Sequence, residues 1–213
     1  MAWTYKNETG ICIFEDKTCV FLDAKVYSDE DIIAIIEANK PCVVSIDAPL
    51  VVDNETGGRS VDSLLMKTAI HGKYLKLYAT SRAYMMRVFK AIRGETLRLS
   101  LEDRGFVLGE NLMETFPTGI YLSLFPDRFD SRYKISSRQS LEILLKNATM
   151  LINNIRLLGF QLEMDLNVST KKAYKLYEDQ IDGVLCALMS YYLYHDQSQI
   201  WSDKSGLIGL PKL

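Results

Sequence analysis

The chain has 213 residues, 48% of them hydrophobic and 24% charged. These ordinary globular proportions exclude a disordered chain and suit one domain, or one domain with a small elaboration. A net charge of −2 at pH 7 excludes a strongly basic nucleic-acid binder, though not an enzyme whose acids hold metal ions.

Residues 10–14 and 18–22 are short β-rich runs separated by Glu15, Asp16 and Lys17, and they predict a hairpin. Residues 24–27 predict a third strand. Ser28 follows as an N-cap, with Asp29, Glu30 and Asp31 in a first turn where the helix dipole favours acids. Ile32, Ile33, Ile35 and Ile36 mark that helix, which stops before Pro41. Residues 42–46 are nearly continuously apolar, the pattern of a strand buried on both faces at the centre of an α/β sheet. Asp47 ends this strand, and open α/β sheets bind ligands at that end.

Residues 59–104 read as largely helical, with a break at His71 and Gly72. Residues 111–117 predict another strand, and 119–125 a short helix. Ser136 or Ser137 caps a helix that runs to Leu158 and is stopped by Gly159. Thr170 opens the last long helix, through Tyr194, and residues 206–211 form a final edge segment. The expected organisation is a single domain over 1–213 with a helical elaboration at about 59–105.

Cys12, Cys19, Cys42 and Cys186 contain no C-x-x-C pair and lie among apolar neighbours, as buried reduced thiols do. No apolar run approaches the roughly 20 residues that span a bilayer, and no signal-peptide pattern opens the chain. A cytoplasmic protein that does not engage membranes is the expectation. His71 and His195 lack zinc-ligand spacing, and Gly57-Gly58 lacks the Lys-Ser or Lys-Thr of a phosphate loop.

Four acids stand out by position. Asp47 and Glu114 end strands, and Asp179 and Asp182 fall on nearly one face of the last helix. Asp182 precedes the apolar run 183–188, so its charge requires a counter-charge or a metal. Strand-end acids converging with helix acids are a usual ligand set for Mg²⁺ or Mn²⁺. Each acid also has a plainer role: Asp47 capping a turn, Glu114 pairing with a base, Asp179 solvated.

Residues 67–98 carry eight bases, Arg87 and Lys90 among them, against the single acid Glu95. Tyr74, Tyr78, Tyr84 and Phe89 are interleaved. Bases with stacking aromatics suit a flexible or single-stranded nucleic acid. An amphipathic helix with core aromatics and a solvated basic face has the same pattern.

Segments 45–50 (SIDAPL), 57–62 (GGRSVD) and 114–117 (ETFP), then Tyr133-Lys134 with Arg138, then 182–188 (DGVLCAL), occur in a set order. That order resembles domain-of-unknown-function family 429, predicted nucleases of ribonuclease-H-like fold. The resemblance implies an α/β fold whose mixed sheet combines an antiparallel opening meander with parallel strands, flanked by helices. It implies a metal-dependent nuclease or phosphodiesterase, with Asp47, Glu114 and Asp182 as catalytic acids. Asp179 would join those three in holding Mg²⁺ or Mn²⁺, with nucleic acid as the substrate. Arg59, Lys134 and Arg138 match polar family positions, with Asp62 in support; phosphate contact or a salt-bridge network between loops is their role.

One departure bears on activity. The family pattern opens with a strand ending in Gly-Ile-Asp, and this chain starts just after that point. The first strand is therefore expected to be incomplete, with Met1 an internal methionine of a longer protein. If Met1 is the true start, the site lacks one carboxylate, which favours a non-catalytic binding or scaffold protein with a degenerate site.

Overall fold

The computed structural model describes residues 3–212 and is a mixed α/β structure. It opens with the predicted hairpin. Strands β1 (Thr9–Glu15) and β2 (Thr18–Lys25) pair antiparallel, and Asp16 supplies a left-handed turn residue at φ 49°. Residues 24–27 do not form a separate third strand, because Ala24 and Lys25 continue the β2 ladder opposite Gly10 and Thr9. Helix α1 (Asp29–Asn39) begins at Ser28, whose side chain accepts from the Asp31 backbone while the Asp31 carboxylate accepts from Ser28 N. Strand β3 (Val44–Ile46) follows, with Asp47 just past its end.

The segment expected to be largely helical contains helix α2 (Ser60–Lys67) and the small hairpin of β4 (Ala69–Ile70) and β5 (Lys73–Tyr74). Helices α3 (Arg82–Phe89) and α4 (Arg93–Glu102) complete it. The break at His71 and Gly72 is the turn of that hairpin, both residues taking positive φ. Strand β6 (Leu112–Glu114) pairs parallel with β3. Helix α5 (Pro117–Leu124) starts at the proline, which suits a first helical position because its missing N–H would have no helical partner there.

Helix α6 (Leu141–Leu157) is capped by Ser140, whose side chain accepts from Ile143 N. Neither Ser136 nor Ser137 is the cap; the Ser136 hydroxyl is engaged with Gln139. Helix α7 (Lys171–Tyr194) opens at Thr170 as expected. A final antiparallel hairpin joins β7 (Ser198–Asp203) to β8 (Gly206–Pro211). Residues 206–211 are thus paired on one side, and Gly209 also bridges Thr115 in parallel.

The main core gathers α5, α6 and α7 against the first hairpin and β8. Leu185, Leu188 and Met189 of α7 are fully buried there, each contributing about 1.5–3 kcal/mol of transfer free energy. A second cluster fills the space between α1, α4 and β3.

Helix α7 lies directly on β1. A Cβ at Gly10 would stand 1.7 Å from the Asp179 carbonyl oxygen, and one at Gly183 would stand 2.9 Å from the Gly10 carbonyl carbon. Only paired glycines permit that approach.

The sheet is interrupted between β1 and β3. Among the described residues β1 pairs only with β2, and β3 only with β6. Between them runs a groove of about 480 Å³, with Ile35 and Ile36 of α1 on one side and Cys186 and Ala187 of α7 on the other. Among the described residues no helix is long and apolar enough to cross a membrane.

Candidate metal centre

Strand pleat decides which acids meet. Ser190 on α7 donates to the Ser45 hydroxyl at 2.9 Å, so Ser45 faces α7, and Asp47 two residues later leaves on that same face. Ile46 leaves on the opposite face, into the second core cluster. The parallel register sets Glu114 beside Ile46, which sends Glu114 away from α7 as well.

Asp47 therefore joins Asp179 and Asp182 in a cavity of about 400 Å³, together with Glu8, Glu178, Lys134 and Lys175. Asp182 is held on both oxygens: Tyr133 Oη donates to Oδ1 at 2.6 Å and Lys134 Nζ to Oδ2 at 2.8 Å. Lys175 Nζ donates to Glu178 Oε1 at 2.9 Å and to Asp179 Oδ1 at 2.7 Å. The second Glu178 oxygen accepts from Ile135 N. Asp179 Oδ2 is buried and has no hydrogen-bond partner.

The charges are strongly coupled. Burial raises the Asp47 carboxyl above its ordinary range; Lys134 opposes this and Asp182 adds to it. Burial likewise raises Asp179, against the pull of Lys175. Burial disfavours the Lys134 ammonium, but Asp182 and Asp47 outweigh it and its pKa lies above the usual value. Burial likewise disfavours the Lys175 ammonium, but the hydrogen bonds it donates to Asp179 and Glu178 outweigh it and raise its pKa. Burial, with Asp182 beside it, pushes the Tyr133 phenol well up, so Tyr133 stays a hydrogen-bond donor.

Glu114 sits elsewhere. Arg59 reaches it with Nη1 on Oε2 (2.9 Å) and Nη2 on Oε1 (2.5 Å), and grips Asp62 with Nε (3.1 Å) and Nη2 (2.6 Å). Leu50 N also donates to Glu114 Oε2 at 2.8 Å. Burial raises the Glu114 carboxyl while Arg59 pulls it down. Arg59 is 2% exposed and so presents no donor to a phosphate at the surface. Segments 57–62 and 114–117 meet here as two halves of one internal ion network.

The basic stretch divides. Arg93 is buried against Asp29, Arg82 pairs with Glu95, and Arg98 with Glu102. Arg87 and Lys90, at the end of α3, are exposed, as are Lys67, Lys76 and Arg138. Tyr84 and Phe89 pack together near Trp3, whereas Tyr74 and Tyr78 are exposed.

Cys186 is buried, Cys12 and Cys19 are half-buried, and Cys42 is exposed, against the expectation for that thiol; Cys42 lies outside β3, in the loop leading into it.

Glu8, Glu178 and Lys175 were not singled out from the sequence. Lys175 lies four residues before Asp179 and Glu178 four before Asp182, so helical spacing was the available signal for both. Glu8 had none.

The donor set is all oxygen, which suits a hard divalent cation, and the partnerless Asp179 oxygen lies within it. Among the described residues no three or more histidine, cysteine or acidic side chains are already gathered in a metal-holding arrangement. The residue types suit a cation, and Lys134 and Lys175 are ion-paired with Asp182, Glu178 and Asp179. No protein-family model matches the chain, and no curated protein or solved structure matches it either.

Proposed function

We propose that this chain is a ribonuclease-H-like domain of the kind found in domain-of-unknown-function family 429. On this reading it is a metal-dependent phosphodiesterase acting on nucleic acid. The observation that carries the reading is the convergence of Asp47 with Asp179 and Asp182 in one cavity that includes a buried, partnerless carboxylate oxygen. Asp47, Asp179 and Asp182 would hold Mg²⁺ or Mn²⁺, with Glu178 beside them. A bound divalent ion supplies an activated water and charge stabilisation at a phosphodiester. Tyr133 holds the Asp182 carboxylate in orientation through its 2.6 Å hydrogen bond, and Lys134 places a positive charge beside it. Glu114 belongs to the Arg59 network and supports the β3–β6 pair from the opposite face.

Calorimetric titration of Mn²⁺ into this chain should show binding that is lost in the Asp47→Asn, Asp182→Asn double variant. Equal binding in both proteins would remove these carboxylates from the site. The exposed cations Arg87 and Lys90 extend the reading to the substrate. Replacing both by Glu should weaken binding of a short single-stranded oligonucleotide and flatten its salt dependence, because each phosphate contact contributes to the salt slope. Unchanged binding would confine recognition to the cavity.

A second reading has its own support. The carboxylates are neutralised by lysines, and the sheet is interrupted between β1 and β3 beside Asp47. Both features suit a non-catalytic binding or scaffold protein with a degenerate site. Failure to bind Mn²⁺ even when Lys134 and Lys175 are replaced by uncharged residues favours this second reading.

A further inference from the structure

The protein neutralises its two groups of acids differently. Glu114 and Asp62 are held by Arg59, a planar guanidinium 2% exposed and bonded to both carboxylates and to the Val51 carbonyl. The cavity acids are held by lysines whose side chains are 36% (Lys134) and 47% (Lys175) exposed. An ammonium on a flexible, half-solvated stem can leave its partner for water; a buried guanidinium fork cannot.

From this contrast we propose that Lys134 and Lys175 are exchangeable counter-ions that close the cavity against divalent cations until one displaces them. The inference rests on the cation-binding reading above and adds its regulation. Lys134 covers Asp182 Oδ2, while Lys175 spans Glu178 and Asp179. With both ammonium groups in place, a divalent ion must displace them to take Asp182 Oδ2, Glu178 Oε1 or Asp179 Oδ1. Five acids line this cavity, and among the described residues no three of them form a metal-holding group.

Two features prepare the exchange. Tyr133 still donates to Asp182 Oδ1 once Lys134 has left, so the carboxylate keeps its orientation. The partnerless Asp179 Oδ2 offers an incoming cation an oxygen that no lysine holds.

The test is calorimetric titration of Mn²⁺ into the full chain, into Lys134→Met and Lys175→Met, and into the Lys134→Arg and Lys175→Arg variants. Methionine keeps an unbranched stem without charge, and thermal melts establish that each variant is folded. Each methionine variant should bind Mn²⁺ roughly fivefold more tightly, the upper end for releasing a half-exposed ion pair. The arginine variants, which retain the charge, should show no gain. Mn²⁺ binding seen only in the methionine variants would support the lock in its strongest form. Equal or weaker binding in the methionine variants overturns it and leaves the cation site standing. No Mn²⁺ binding in any folded protein of the series overturns the site and the lock together.

Discussion

Arg59→Ala should destabilise the protein by about 3–5 kcal/mol, the range for removing one partner of a buried ion network. The side chain is 2% exposed and compensates both Glu114 and Asp62, which lie almost as deep. Its loss leaves two buried carboxylates facing each other, with Leu50 N still donating to Glu114. For a chain of this size the melting temperature should fall by roughly 10 °C or more. Urea unfolding followed by far-UV circular dichroism measures the effect directly. Adding Glu114→Gln and Asp62→Asn to Arg59→Met should recover much of the loss, because the uncompensated charges then disappear. An Arg59→Ala variant within about 0.5 kcal/mol of wild type, the usual range for a surface change, would mean that the network is solvated rather than buried.

Gly10→Ala should be similarly severe and should also damage the site. The added Cβ would lie 1.7 Å from the Asp179 carbonyl oxygen, where ordinary contact begins near 3.4 Å. The obstacle is backbone, so no side chain can rotate aside; β1 and α7 must separate. Overpacking of well-packed interiors costs about 1–3 kcal/mol and sometimes more, and a backbone clash falls at or beyond the top of that range. Because α7 carries Glu178, Asp179 and Asp182, its displacement moves three acids away from Asp47, and Mn²⁺ affinity should fall with stability. Gly183→Ala, with its nearest atom at 2.9 Å, should be milder in both respects. Gly58→Ala, whose nearest neighbours are at an ordinary 3.7 Å, should change neither and serves as the control. A Gly10→Ala protein with wild-type melting temperature and Mn²⁺ affinity would contradict the close packing of α7 on β1.

Much of the local structure was legible in the residues themselves. Ser28 and Thr170 cap their helices as read, because a cap is a side chain bonding to backbone within three residues. The first hairpin and a strand ending just before Asp47 follow from patterns spanning only a few positions. That strand covers 44–46 rather than 42–46, and among the described residues it pairs only with β6, not at a sheet centre. The cap of α6 was read as Ser136 or Ser137, but Ser140 takes it, so composition near the helix start did not fix the position. Strand β7 was missed because its one buried residue, Trp201, leaves almost no alternation to detect.

The candidate site was legible in part. The one-face placement of Asp179 and Asp182 is a property of helical spacing, so sequence alone determined it. Whether Glu114 would share a cavity with Asp47 was a question of strand register, which depends on pairing between segments more than 60 residues apart. The observed register puts Glu114 level with Ile46, one position out of phase with Asp47, and the alternation of the pleat sends the two carboxylates to opposite faces. Arg59 then meets Glu114 on one side, while Lys134 and Lys175 reach the acids of α7 on the other. Which residues are acids, which cap helices and which end strands was written in the sequence, because those are local properties. Which base neutralises which acid, and how permanently, was decided only by the tertiary structure, because burial and pleat parity arise when distant segments pack together.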